Sequence, residues 1–104
     1  MYGLIGRIVA QPGRRAELAS LLLASSGDMP GCLGYVVAED RADPDAIWVT
    51  EVWDSAESHA ASLSIKSVRA AIAQARPLIA GFDSRAETRP LGGVGLPVQP
   101  EARG

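Results

Sequence analysis

Few side chains in this sequence are suited to chemistry, and they gather around one stretch, "VTEVWDS" at residues 49–55. As a strand, it points residues two apart the same way, so Ile47, Val49, Glu51 and Trp53 share one face and Trp48, Thr50 and Val52 the other. Both faces are too apolar for open water, yet one carries a carboxylate. A carboxylate taken out of water needs a hydrogen-bonding or ionic partner, and Arg7, the one charge in the middle of the first strand, is the expected one. Such a pair is either purely structural, as many buried ion pairs are, or part of a site in which Glu51 moves protons. The single histidine, His59, follows Trp53 by six residues. It is open to an exposed or helix-capping role, a role as a pocket base, or metal ligation. A tryptophan at such a position is more often plain core than a ligand contact, and Trp53 is open to both roles. Tyr35 could add a second flat aromatic surface, although alternation alone does not fix which way it faces.

The rest of the composition narrows the function classes. One histidine and one cysteine offer no ligand cluster for a zinc site, and no glycine-rich phosphate-binding pattern is present, so a bound nucleotide is unsupported. Ten basic residues against twelve acidic ones give a formal net charge of −2, and the basic ones are scattered. That argues against nucleic acid, whose affinity comes from clustered Lys and Arg on phosphates. Cys32 is the only cysteine, so no internal disulfide can form, and its thiol reads as a small hydrophobe. No apolar run approaches the ~20 residues a membrane helix needs, and no signal-like segment opens the chain. The expectation is a soluble, cytoplasmic protein with no membrane partner.

The elements that must position these residues are readable from periodicity. "YGLIGRIVA" (2–10) reads as a strand with Leu4, Gly6, Ile8 and Ala10 on one face and Ile5, Arg7 and Val9 on the other. Residues 14–26 have leucines at helical spacing and no Gly or Pro. "CLGYVVAED" (32–40) and "AIWVTEVWD" (46–54) read as antiparallel strands joined by a hairpin-length turn. Ser55 is a helix N-cap for a short helix over 56–63. A longer helix follows, with Ile65, Val68, Ile72, Ala75 and Ile79 along one stripe, and Pro77 should end or kink it. A fourth strand lies within 81–90, and the Gly- and Pro-rich remainder reads as an extended arm to about Leu96. The domain is expected over 1–96 and disorder over 97–104. This order is the split βαβ, ferredoxin-like α+β plan, with helices on one face of a four-stranded antiparallel sheet. The other face stays apolar and uncovered, which points to a homodimer packing sheet on sheet.

The strand with "GR", the "PGRRAEL" helix start, "GCLGY", "TEVWDSAESH", "RPLIAGF" and "ETRPLGGVGL", in that order, resemble the antibiotic biosynthesis monooxygenase domain, the last two its quinol monooxygenase subgroup. The resemblance spans roughly residues 2–96. It implies a dimeric α/β barrel of ferredoxin-like subunits and oxidation of a quinol or hydroxylated polycyclic aromatic by O2 without metal or flavin. It also implies a pocket between helices and sheet, with the family's Glu-x-Trp motif falling on Glu51 and Trp53. Such chemistry requires a base for a phenolic proton, an environment without water, and aromatic walls. Glu51 and His59 are the catalytic candidates; Trp53, Arg7 and Tyr35 are the substrate-binding ones. The chain departs from the family in having no asparagine, which oxygenating branches use to hold substrate. It also has Leu63 where the haem-degrading branch has histidine. An isomerase of a small dicarbonyl metabolite, with Arg7 and Glu51 as anion site and base, and a non-catalytic binding module are the alternatives.

Overall fold

The computed structural model describes residues 1–97; beyond Pro97, the expected disordered tail lies outside the described residues. The elements are β1 (Tyr2–Ala10), α1 (Arg15–Ser25), β2 (Cys32–Glu39), β3 (Ala46–Trp53), α2 (Ala56–Ser62), α3 (Lys66–Ala75) and β4 (Ile79–Thr88). The four strands form one antiparallel sheet in the order β2-β3-β1-β4, as the split βαβ plan requires.

The helices sit on one face of the sheet, and each packs one side against it. On α1, Leu18 is fully buried while Leu21 and Leu22 pack against the core and Leu23 points to water. Under them lie Ile8, Ala10, Ile47 and Val49 from the two central strands, which the register sets in pairs: Leu4 opposite Glu51, Gly6 opposite Val49, Ile8 opposite Ile47. Paired residues of an antiparallel sheet share a face. Ser55 caps α2 as its sequence promises, its hydroxyl accepting from the Ser58 N–H at 3.1 Å. Pro77 ends the longer helix, but Ile79 leaves the expected helical stripe. The chain passes through a single 3-10 turn (Arg76–Leu78) and enters β4 at Ile79, which pairs with Ala10.

Arg7 lies on the face away from the helices, opposite Trp48, where it organises the β2–β3 turn. Its guanidinium bonds Asp40 at 3.3 Å and Asp43 at 3.0 Å, and it also pairs with Asp83 of β4. Asp40 in turn accepts the Trp48 indole N–H at 2.8 Å and the backbone N–H groups of Ala42 and Asp43 at 2.8 and 2.9 Å. The far face also carries Ile5 and the exposed Val36. The C-terminal arm returns across it, with the Leu96 side chain lying over the site where Gly34 lacks one. No helix among the described residues is long and apolar enough to cross a membrane.

The Asp43 N–H, the Trp48 indole and the Ala42 N–H, in that order, hold the Asp40 carboxyl well below its ordinary value of 3.8. A carboxyl depressed in the folded state stabilises fully above about pH 4, and that stabilisation is lost as the pH falls towards the depressed value. Asp40→Asn is therefore expected to destabilise the protein at neutral pH and to flatten the decline of stability below about pH 4. Urea unfolding of both proteins across pH 2–7 reads both effects, and superimposable pH profiles would contradict this assignment.

Candidate active site

Three segments bring the site together. β3 turns Glu51 and Trp53 towards the helices, and β2 places Tyr35 directly opposite Glu51 on the same face. The hairpin register shifts between Cys32 and Gly34, so that Cys32 pairs with Trp53 and Gly34 with Val52. Leu33 is the extra residue, and this bulge decides the facing that alternation left open. α2 supplies His59. Its first turn is fixed by the Ser55 cap and by Gly31, whose φ of +85° favours glycine. A β-carbon at Gly31 would meet Ser58 at 2.6 Å, so only glycine lets α2 lie this close to β2.

Trp53 is almost wholly buried, and its indole N–H donates to Glu51 Oε1 at 3.0 Å. The His59 ring meets Trp53 edge-on, with centroids 5.4 Å apart, and Tyr2 on its other side at 5.6 Å. Burial, reinforced by the Glu51 charge, pushes the Tyr35 hydroxyl up to about 12. At neutral pH it is a fully protonated donor beside an acceptor-only carboxylate. Glu51, Trp53, Tyr35 and His59 line one cavity of about 670 Å3 between helices and sheet, within the range of small-molecule sites. Leu21, Leu22, Val68 and Ile72 supply its apolar walls, and Phe82 and Arg76 also line it. Ile72 is 38% exposed because it faces this empty space rather than packed atoms.

Of the expected site residues, Glu51, Trp53, Tyr35 and His59 converge, and Arg7 does not. Arg7 is no partner of Glu51 and lines no part of the cavity, because residue 7 is odd in a strand whose even residues face the helices. Glu51 finds its donor in Trp53, two residues along the same strand. Phe82 is a further lining residue. In β4 the register slips around Asp83, with Phe82 opposite Ile8 and Ser84 opposite Arg7. The bulge sends Asp83 towards Arg7 and turns Phe82 to the cavity rim, where it is 71% exposed. Nothing in the local sequence marks that slip. Arg76 borders the cavity because Pro77 stops the helix there.

The antibiotic biosynthesis monooxygenase family profile matches residues 1–74. The chain belongs to that family. A Chloroflexus aurantiacus protein assigned as an antibiotic biosynthesis monooxygenase is 59% identical. Its structure superposes with a TM-score of 0.90, over 92% of this chain and 98% of that one. A Deinococcus radiodurans protein with the same assignment is 24% identical, at a TM-score of 0.73 over 95% and 99% of the two chains. SnoaB from Streptomyces nogalater, a cofactor-independent oxygenase, is 14% identical and has the same fold, at a TM-score of 0.74 over 89% and 95%. No curated protein sequence matches the chain. In this antibiotic biosynthesis monooxygenase domain, the Glu-x-Trp pair is thus a hydrogen-bonded unit in a cavity wall.

A tyrosine raised in the folded state binds its proton more tightly than the unfolded chain does, so stability falls as pH rises from about 10 towards about 12. Tyr35→Phe should remove that part of the alkaline decline, which thermal unfolding followed from pH 9 to 12 will measure. An unchanged slope would mean that Tyr35 titrates normally.

Proposed function

We propose that this chain is a cofactor-independent monooxygenase acting with O2 on a quinol or a hydroxylated polycyclic aromatic. The reading is carried by the cavity: large, apolar and aromatic-walled, with one carboxylate and one protonated phenol facing each other across paired strands. A quinol plus O2 gives a hydroxyquinone plus water. One oxygen atom enters the ring as a new C–O bond, and the other leaves as water with two hydrogens. The substrate supplies all the electrons, so no external reductant is required. The protein's share is to ionise the substrate, hold the anion and exclude bulk water. Glu51 accepts the phenolic proton. Tyr35 donates a hydrogen bond to the resulting oxyanion. His59, at the end of α2, serves as the second proton acceptor, and Trp53 is held as a flat wall by its bond to Glu51. The isomerase reading fits less well: it needs Arg7 as its anion site, and Arg7 lies on the far face of the sheet, away from a cavity whose walls are mostly apolar. The non-catalytic reading expects a cavity filled by side chains.

The test is oxygen consumption by metal-stripped protein across a panel of quinols and hydroxynaphthalenes. Protein-dependent uptake above autoxidation is expected, falling by about 100-fold or more in Glu51→Gln. The glutamine carbonyl can still accept the Trp53 indole N–H, so the fold should survive. Trp53→Phe is a safer probe of the wall than Trp53→Ala, since emptying this buried site would cost about 3–5 kcal/mol. Absence of uptake across the panel, or full activity in Glu51→Gln, would overturn the assignment.

The same reading includes a homodimer closing into an α/β barrel. Its motivation is the sheet face opposite the helices, where Ile5, Trp48 and the exposed Val36 lie together, while the arm passes over the row of Gly3 and Gly34. Sedimentation at micromolar concentration should give twice the chain mass; a monomer would remove the barrel from the proposal.

A further inference from the structure

A second hollow of about 200 Å3 adjoins the main cavity on the helix-facing side of the sheet. The two share Ile8, Tyr35, Glu51 and Phe82 as walls. Its floor is β1, at Leu4 and Gly6. A β-carbon at Gly6 would meet only the Ser84 carbonyl oxygen, at an ordinary 3.7 Å. Close packing does not demand glycine there; what the missing side chain leaves is space. In the sheet register Leu4 has Glu51 beside it on β3, and Gly6 has Arg85 beside it on β4. Glu51 and Arg85 therefore stand at diagonal corners of the hollow. They are two strand spacings apart across β1 and two residues apart along it, roughly 12 Å between α-carbons. The Asp83 bulge makes this possible, because it puts Phe82 and Arg85, three residues apart, on one face.

Arg85 is lightly engaged. Its nearest carboxylate is Glu87 at 4.0 Å, and the Tyr2 hydroxyl already donates to the other Glu87 oxygen at 2.8 Å. Most of the Arg85 side chain is open to solvent, so its fork of donors is available to a carboxylate of matching geometry.

We infer that this hollow is a subsite for an anionic substituent, so that the protein favours hydroxyaryl carboxylates, with the hydroxyl at Glu51 and the carboxylate on Arg85. The inference rests on the reading of the main cavity as an aromatic site. The diagonal pair sets the direction of the ligand: Glu51 repels a carboxylate at its own end and accepts a hydroxyl proton, while Arg85 does the reverse. Exposure of Arg85 keeps the gain modest, and salt screens it.

Calorimetric titration of the full chain with 6-hydroxy-2-naphthoate and with 2-naphthol tests this without turnover. The carboxylate should bind roughly fivefold more tightly at low salt. The preference should shrink as salt rises and vanish in Arg85→Gln, which leaves 2-naphthol binding unchanged. Gly6→Val, which fills the hollow, should weaken the carboxylate more than the naphthol. Equal affinities in the wild type, or a preference that survives Arg85→Gln, would overturn the subsite while leaving the aromatic cavity standing. Failure of both ligands to bind would overturn the subsite and the cavity reading together.

Discussion

A carboxylate that faces the helices must find a donor on its own side of the sheet, and Glu51 finds it in the Trp53 indole two residues away. The rest of the site depends on that bond. It removes the need for a cation in the cavity wall and fixes the tryptophan ring, against whose edge His59 then packs. It also leaves Glu51 free to face Tyr35, whose hydroxyl its charge helps to keep protonated. The donor lies beside the carboxylate along one strand, so the unit is built locally and needs no distant partner to assemble it.

The two faces of the sheet divide the work. Polar organisation is concentrated at the β2–β3 turn, where Arg7, Arg15, Trp48 and the backbone N–H groups of Ala42, Asp43, Asp45 and Ala46 converge on Asp40, Asp43 and their carbonyls. A hydrogen bond to an ionised group is worth more than a neutral one, and clustering several on one turn fixes the hairpin whose other end carries Tyr35 and Glu51. The helix-facing side is mostly apolar, and its central volume is left open. For a chain of 104 residues, which buries only about two thirds of its unfolded surface, an unfilled cavity forgoes packing that a non-binding domain would use for stability. That trade is expected where the space itself is the function.

The bulges matter more to the site than their size suggests. Each inserts one residue and reverses the facing of everything beyond it. The one at Leu33 brings Cys32 and Tyr35 to the same side as Glu51 and Trp53. The one at Asp83 splits a single strand between two tasks, sending an aspartate to Arg7 on one face and Phe82 and Arg85 to the cavities on the other. Both lie on edge strands, as does a third register shift between the Gly81 and Ile79 pairings of β4, and there a slip disturbs one ladder rather than two.

The sequence by itself determined the element order, the faces of β1 and β3, the Ser55 cap, the stop at Pro77 and the grouping of Glu51 with Trp53. All of these follow from local rules: a period of two, a period of 3.6, a capping hydroxyl, a ring without an N–H. Only the tertiary structure decided which charges meet. Read along the chain, Arg7 and Glu51 are each an isolated charge on a buried strand, and that predicts a pair. Yet β1 and β3 pair so that residue 7 faces Trp48, and its acidic partners come from the β2–β3 turn and from β4. The facing of Tyr35, and the placing of Phe82 and Arg85, are not legible in the sequence for a related reason. A bulge is fixed by the ladder between two strands far apart in sequence, and a pattern read along one strand has no record of its neighbour's register.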